Sequence, residues 1–132
     1  MSAENVEIVR GIYRVPGGIT EAASESLAPD VQFDFTSVYP DGQILRGGAA
    51  VREFRETGPW HGAPIHFEPE QFLDVDDEHV LVFVHVSAMG MGSGVPVGAD
   101  VAHEFTIRDG LVVYFKVYAD RGEALDAAGL RR

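Results

Sequence analysis

From residue 79 to residue 119 the chain alternates with a period of two. In "HVLVFVHVSAM" (79–89), Val80, Val82, Val84 and Val86 fall on one side of an extended chain, and Leu81, Phe83, His85 and Ser87 on the other. Successive strand residues point to opposite faces, and both sets here are largely apolar. A strand of this kind belongs in the middle of a sheet, with something packed on each side. Residues 67–75, 95–108 and 111–119 read as further strands, joined by "DDE", "GMGSG" and "RDG". Connections this short make hairpins, so the four strands form an antiparallel meander.

Upstream the period lengthens. "SAENVEIVRGIYR" puts Val6, Val9 and Tyr13 on one face of a helix with Ile8 and Ile12 alongside, Ser2 as its cap and Glu4 in the first turn. "VPGG" ends it, and Thr20 caps a second short helix, "TEAASESLA", closed by Pro29. "VQFDF" (31–35) is a strand, "ILRG" a short second one, and "GGAAVREFRET" a third helix with Val51 and Phe54 inward. "RGEALDAAGL" finishes as a short helix whose Gly129 suits a left-handed cap. Helices followed by a long antiparallel sheet close by wrapping the sheet around the helices. The expected fold is α+β: a cone of three N-terminal helices packed in a strongly curved, mostly antiparallel sheet.

Composition narrows the function. At 132 residues without a linker or repeat, the chain reads as one domain spanning 1–132. Ten basic against 21 acidic residues leave a net charge of −11, and Lys116 is the only lysine. Such a field repels nucleic acid and anionic lipid surfaces. No apolar run is long enough to span a membrane, since His79 and His85 interrupt the best one. The absence of cysteine excludes disulfides and thiolate metal sites. "MSAENVEIVR" carries acids where an export leader would be basic and then apolar, so a cytoplasmic location is expected.

"ENVEIVRGIY", "LAPDVQFDF", "LRGGAAVREF", "IRDGLVVYFKVYADR" and "EALDAAGL" together resemble the SnoaL-like branch of the NTF2-like, or ketosteroid-isomerase-like, superfamily. The likeness covers almost the whole chain. It implies the cone fold with a pocket between helices and sheet. It leaves the activity open, because that scaffold hosts isomerases, cyclases, dehydratases, hydrolases and non-catalytic binders.

Three residues are candidates for catalysis. Asp34 points opposite to Phe33 and Phe35 and resembles in position the proton-shuttling aspartate of the isomerases; the other reading is a solvent-facing aspartate. A carboxylate beside an apolar ligand can take a proton from carbon if its pKa is raised. His103 shares an apolar stripe with Val101, Phe105 and Ile107, roughly where the isomerases keep an oxyanion-binding aspartate. An imidazole can donate that hydrogen bond, or it can be a core histidine satisfied by a neighbour. Asp120 resembles the general base of SnoaL-type cyclases. Alternation groups it with Tyr114, Lys116 and Tyr118, and the rival reading is a strand-terminal cap or an ion pair with Arg121.

Tyr13, Trp60, His66, His85, Phe105 and Tyr118 are candidate substrate contacts, with core packing the preferred reading of Tyr13. The resemblance places Tyr13 where isomerases hold an oxyanion-hole tyrosine. His66 faintly resembles a histidine of scytalone dehydratase, and His61 and His66 flank a Pro/Gly loop with Trp60 that could cover the pocket mouth. No local spacing predicts a metal site from His61, His66, His85 and His103, and no cofactor is implied. "GMGSG" joins two strands, so it is no phosphate loop. The expected partner is a small apolar molecule, with a second copy docked on the outer sheet face, because strand 79–89 is apolar on both sides and the helices are too few to cover both. The expected function is cofactor-independent proton transfer of isomerase, cyclase or dehydratase type on an apolar, carbonyl-bearing substrate. The alternative is a non-catalytic binding or dimerisation domain.

Overall fold

The computed structural model of the protein describes residues 2–14, 26–36, 44–50, 53, 65–89 and 96–130. Helix α1 spans Ser2–Arg14, with Glu4 in its first turn and Arg14 in its last, each at the helix end that suits its charge. Six strands follow: β1 (Leu27–Asp34), β2 (Ile44–Arg46), β3 (Ile65–Asp74), β4 (His79–Met89), β5 (Pro96–Arg108) and β6 (Leu111–Tyr118). A last helix, α2, covers Arg121–Ala127. The strands form one sheet in the order β2-β1-β6-β5-β4-β3. All neighbours are antiparallel except β1 and β6, which run parallel.

The meander β3–β6 pairs antiparallel as expected, with register shifts in β3 between Pro69 and Gln71 and in the β5–β6 ladder between Thr106 and Ile107. Its tightest turn, between β5 and β6, has Asp109 at φ 52° and Gly110 at φ 79°. Two successive left-handed residues make the hairpin turn whose twist matches paired strands, and glycine adopts the second position without strain.

The N-terminal half departs from expectation in one described place. A helix was expected to run on to Pro29, but Leu27 and Ala28 already belong to β1. Leu27 pairs with Val112 of β6, and the register shifts before Gln32. Tertiary pairing overrides the local helix propensity of this segment. The earlier part of that helix, residues 20–25, lies outside the described residues. Of the third expected helix, residues 48–50 and 53 are helical and the rest lies outside them.

Alternation sends the two faces of the sheet to two different partners. Val80, Val82 and Val84 of β4 join Val101, Phe105 and Ile107 of β5, Val112, Phe115 and Val117 of β6, Val31 and Phe33 of β1, and Phe35 just beyond it, all packed with Val9 and Ile12 of α1. Asn5 ties α1 to the β3–β4 turn by donating from Nδ2 to the Asp77 carbonyl at 2.7 Å. On the opposite face Leu81, Ala102 and Tyr118 pack with Ala124 of α2, flanked by Leu73, Phe83 and Leu125. The apolar outer side of β4 is therefore covered from within the chain. Helix α2 thus covers part of the face on which a second copy was expected. Among the described residues no helix is long and apolar enough to cross a membrane.

Asp120 makes that cover possible. It is the N-cap of α2, with extended backbone, and its side chain accepts from the Gly122 amide at 2.6 Å. Arg121, the first helical residue, reaches across the sheet. Its Nη2 bonds Glu70 and donates to the Val84 carbonyl at 3.2 Å, its Nε donates to the Val101 carbonyl at 3.2 Å, and its guanidinium lies 4.9 Å from the Phe83 ring centre. At the other end Gly129 takes the left-handed cap conformation, φ 73°. Replacing a capping Asp by Ala removes a hydrogen bond to an otherwise orphaned amide, whereas Asn keeps it. Asp120→Ala should therefore cost about 1 kcal/mol in urea unfolding, and Asp120→Asn close to nothing. Two equally destabilised variants would rule out the capping role.

Candidate functional site

Most side chains facing α1 are hydrocarbon. The exception at the centre of β5 is His103, which is 1% exposed. It shares its face with Val101, Phe105 and Ile107, as alternation requires. Directly above it is Tyr13, on the turn of α1 that follows Val9 and Ile12. The Tyr13 hydroxyl lies 2.6 Å from His103 Nδ1, and the two rings are near parallel, 10° apart in tilt with centroids 5.9 Å apart.

Aromatic rings enclose this pair. Around the imidazole stand Phe115 at 4.9 Å, Phe67 at 5.7 Å and Phe105 at 6.4 Å between ring centres. Tyr13 meets Phe105 at 5.9 Å and Phe72 at 6.0 Å, both edge to face. Such contacts favour offset or perpendicular rings, and each contributes beyond simple burial.

Enclosure decides the charge state. Burial pushes the His103 pKa down to about 3, because an imidazolium in an apolar surround loses its hydration. Burial likewise raises the Tyr13 hydroxyl well above its ordinary value. Both groups are neutral through the physiological range. In the tautomer with its proton on Nε2, His103 accepts the Tyr13 proton at Nδ1. In that tautomer the free donor toward a ligand oxygen is His103 Nε2–H, and Tyr13 holds the ring that presents it. A histidine with a pKa near 3 is a poor proton acceptor at neutral pH.

The other candidates lie elsewhere. Asp34 is 5% exposed but sits on the sheet face away from α1. It accepts from the Tyr114 hydroxyl at 2.6 Å, from the Thr36 hydroxyl at 2.6 Å and from the Thr36 amide at 2.9 Å, with Lys116 Nζ 3.9 Å away. Burial alone would raise its pKa, but hydrogen bonds from Thr36 and Tyr114 and the Lys116 charge outweigh it, and the net shift is downward. A base for carbon acids needs the opposite shift. Asp120 caps α2, and Tyr118 packs under α2 with Lys116 4.8 Å from its ring centre. Burial first, then the nearby Glu104 charge, push the Tyr118 hydroxyl up to about 12.

His85 also faces outward. Its Nδ1 lies 2.7 Å from Asp100 Oδ1, a contact that raises its pKa, and its ring covers Gly98, where an added Cβ would come within 3.3 Å of Nε2. His66 is exposed on β3, opposite Ser87. Trp60 and His61 fall outside the described residues. Among the described residues no group of three His, Asp or Glu side chains is arranged to hold a metal ion.

The structure therefore joins Tyr13, His103 and Phe105 and sets Asp34, Asp120, His85 and Tyr118 on other surfaces. Sequence reasoning overlooked Phe67, Phe72 and Phe115. Alternation along β6 already placed Phe115 opposite Lys116 and Tyr118. Phe72 was hidden by the register shift between Pro69 and Gln71, which returns it to the side of Phe67 despite the odd spacing.

The fold has many relatives of known structure. TerC, crystallised with polyporic acid, superposes with a TM-score of 0.74 at 21% identity, over 96% of this chain and 98% of that one. SalBIII, an epoxide hydrolase/cyclase-like enzyme with a role in pyran ring formation in salinomycin, gives 0.72 at 21% identity over 92% and 96%. A protein of ketosteroid-isomerase-like fold from Catenulispora acidiphila, in complex with trimethylamine, gives 0.70 at 16% over 95% and 94%. Identities this low show a common NTF2-like fold and nothing finer. No curated protein matches the sequence. The family model for the SnoaL-like domain matches residues 16–115, more than half of the chain, and the chain belongs to that family.

Proposed function

We propose that this domain binds a small apolar molecule and polarises one of its oxygens through the Tyr13–His103 pair. The observation that carries the reading is a neutral hydrogen-bonded pair, 2.6 Å apart, set among four phenylalanine rings. Two apolar residues of the same volume would fill that space without the cost of desolvating polar atoms. Aromatic walls with few convergent polar groups are what small-molecule sites offer. Structures of similar fold have been crystallised with small molecules, polyporic acid among them.

A second reading adds chemistry: proton transfer of isomerase, cyclase or dehydratase type without a cofactor. Its support is that neutral donors in a dry site stabilise charge developing on a carbonyl oxygen, and that a cyclase-like enzyme shares the fold. In this reading Tyr13 and His103 are the electrophilic side, and the proton acceptor is neither Asp34 nor Asp120. A homodimer through the outer face of the sheet belongs to this reading as well. Light scattering that gives twice 14.3 kDa would support it.

Calorimetric titration with polyporic acid as first probe tests the binding reading. His103→Leu should weaken binding about tenfold or more because it removes the donor, and Tyr13→Phe by a similar factor because it leaves Nδ1 without a partner and the ring unfixed. Circular dichroism checks that the variants fold. Folded variants that bind as tightly as the parent would defeat the proposal.

The His103 environment also predicts acid sensitivity. Its folded pKa of about 3 lies below the ordinary 6.5, so the unfolded chain binds the proton more readily. The stability associated with neutral His103 is complete above pH 6.5 and declines as pH falls toward 3. The decline from this one group approaches about 1.4 kcal/mol per pH unit. Urea unfolding across that range should show a shallower acid limb for His103→Leu than for the parent. Superimposable limbs would mean that His103 takes up its proton equally readily in the folded and unfolded chain.

A further inference from the structure

The rings around the Tyr13–His103 pair lead outward to a cation. Phe72 meets Tyr13 edge to face at 6.0 Å, and the Arg10 guanidinium carbon lies 4.4 Å from the centre of the same Phe72 ring. Arg10 and Tyr13 stand three residues apart on α1, the spacing that puts two side chains on one flank of a helix. From the interior outward the order is therefore His103, Tyr13, Phe72, Arg10. The first two are neutral and hydrogen-bonding, the third is apolar and half-buried, and the last is always charged.

A guanidinium lying over an aromatic face keeps its in-plane N–H groups directed away from the ring, where they can hold a carboxylate through two parallel hydrogen bonds. Among the described residues the charged partner of Arg10 is Glu7, 3.5 Å from Nε, with side chains 45% and 66% exposed. A solvated pair of that kind is weak and yields to a better-placed anion. Lys116 and Arg121 are committed to Asp34 and to Glu70 on the outer face, and Arg108 to Glu78. With 21 acidic residues in the chain, an anionic group on a ligand is repelled over much of the surface.

We propose that Arg10 is a specificity-determining residue that selects flat, apolar ligands bearing a carboxylate at the end remote from the oxygen held by Tyr13 and His103. This rests on the reading that the pair holds the ligand. No covalent step is involved.

The probes are 6-hydroxy-2-naphthoic acid and its methyl ester, which share a ring system and differ in the charge of one end. Fluorescence titration at neutral pH and low salt should favour the acid by about two- to fivefold, as one partly exposed charge pair allows. High salt should shrink that ratio. Arg10→Gln should bring it to about one, and Arg10→Lys should leave it between the two, since lysine keeps the charge without the planar fork. The ratio is internal to each variant, so a general change in stability does not mimic it. If both probes bind and Arg10→Gln leaves the ratio unchanged, the role of Arg10 is overturned while the binding reading stands. If neither probe binds the parent protein, the binding reading fails and this inference with it.

Discussion

An imidazole withdrawn almost wholly from water has to be neutral and has to be hydrogen-bonded. His103 meets both conditions through one contact, the Tyr13 hydroxyl at 2.6 Å. That contact joins residues 90 positions apart and sets the height and rotation of α1 over the sheet. Val9 and Ile12 are buried on the same helix, so the hydrocarbon packing and the polar bond must be satisfied by one placement. A shift of α1 that improved one at the expense of the other would leave either a void or an orphaned nitrogen, and both are costly. The aromatic enclosure, the charge state of the pair and the line of rings toward Arg10 all inherit their geometry from this placement.

The outer face solves a different problem with different residues. Asp34, Thr36, Tyr114 and Lys116 satisfy one another across β1 and β6, so a nearly buried carboxylate remains ionised in the middle of a sheet. Next to this polar group, α2 seals Leu81, Ala102 and Tyr118. The face is thus half self-satisfied polar network and half covered hydrocarbon. Each half removes a reason for exposing apolar surface to solvent.

Legibility in the sequence tracked how local the governing interaction is. Strands β4, β5 and β6 and helix α2 could be read because alternation, turn residues and caps act within a few positions. The same alternation placed His103 among Val101, Phe105 and Ile107, and it correctly turned Asp34 away from Phe33 and Phe35. What it could not supply was which face α1 would cover, because that depends on long-range packing. Asp34 and Asp120 were therefore weighed as pocket residues although the side chains sharing their alternation lie on the outer face. The start of β1 was missed for a similar reason: Leu27 is extended because Val112 lies beside it, and nothing near Leu27 announces a partner 85 positions away. Phe72 escaped because a bulge resets the count.

The parallel pairing of β1 with β6 has a consequence for how the chain acquires its structure. Strands β3 to β6 are connected by hairpins, so each can pair with its predecessor soon after both exist. Strand β1 has no adjacent sequence neighbour in the sheet other than β2, and its seat is created only when β6 has joined β5. Loop length alone therefore predicts that the first strand in sequence is among the last to be placed. Closing a loop of that length carries an entropic cost that grows slowly with length but must be met before the contact is rewarded. Until then Val31, Phe33 and Phe35 have no core to enter, and an early chain carries a β-branched and aromatic segment with an open edge. The interval between completion of the meander and arrival of β1 is the stage at which this fold is most exposed to pairing with the wrong strand.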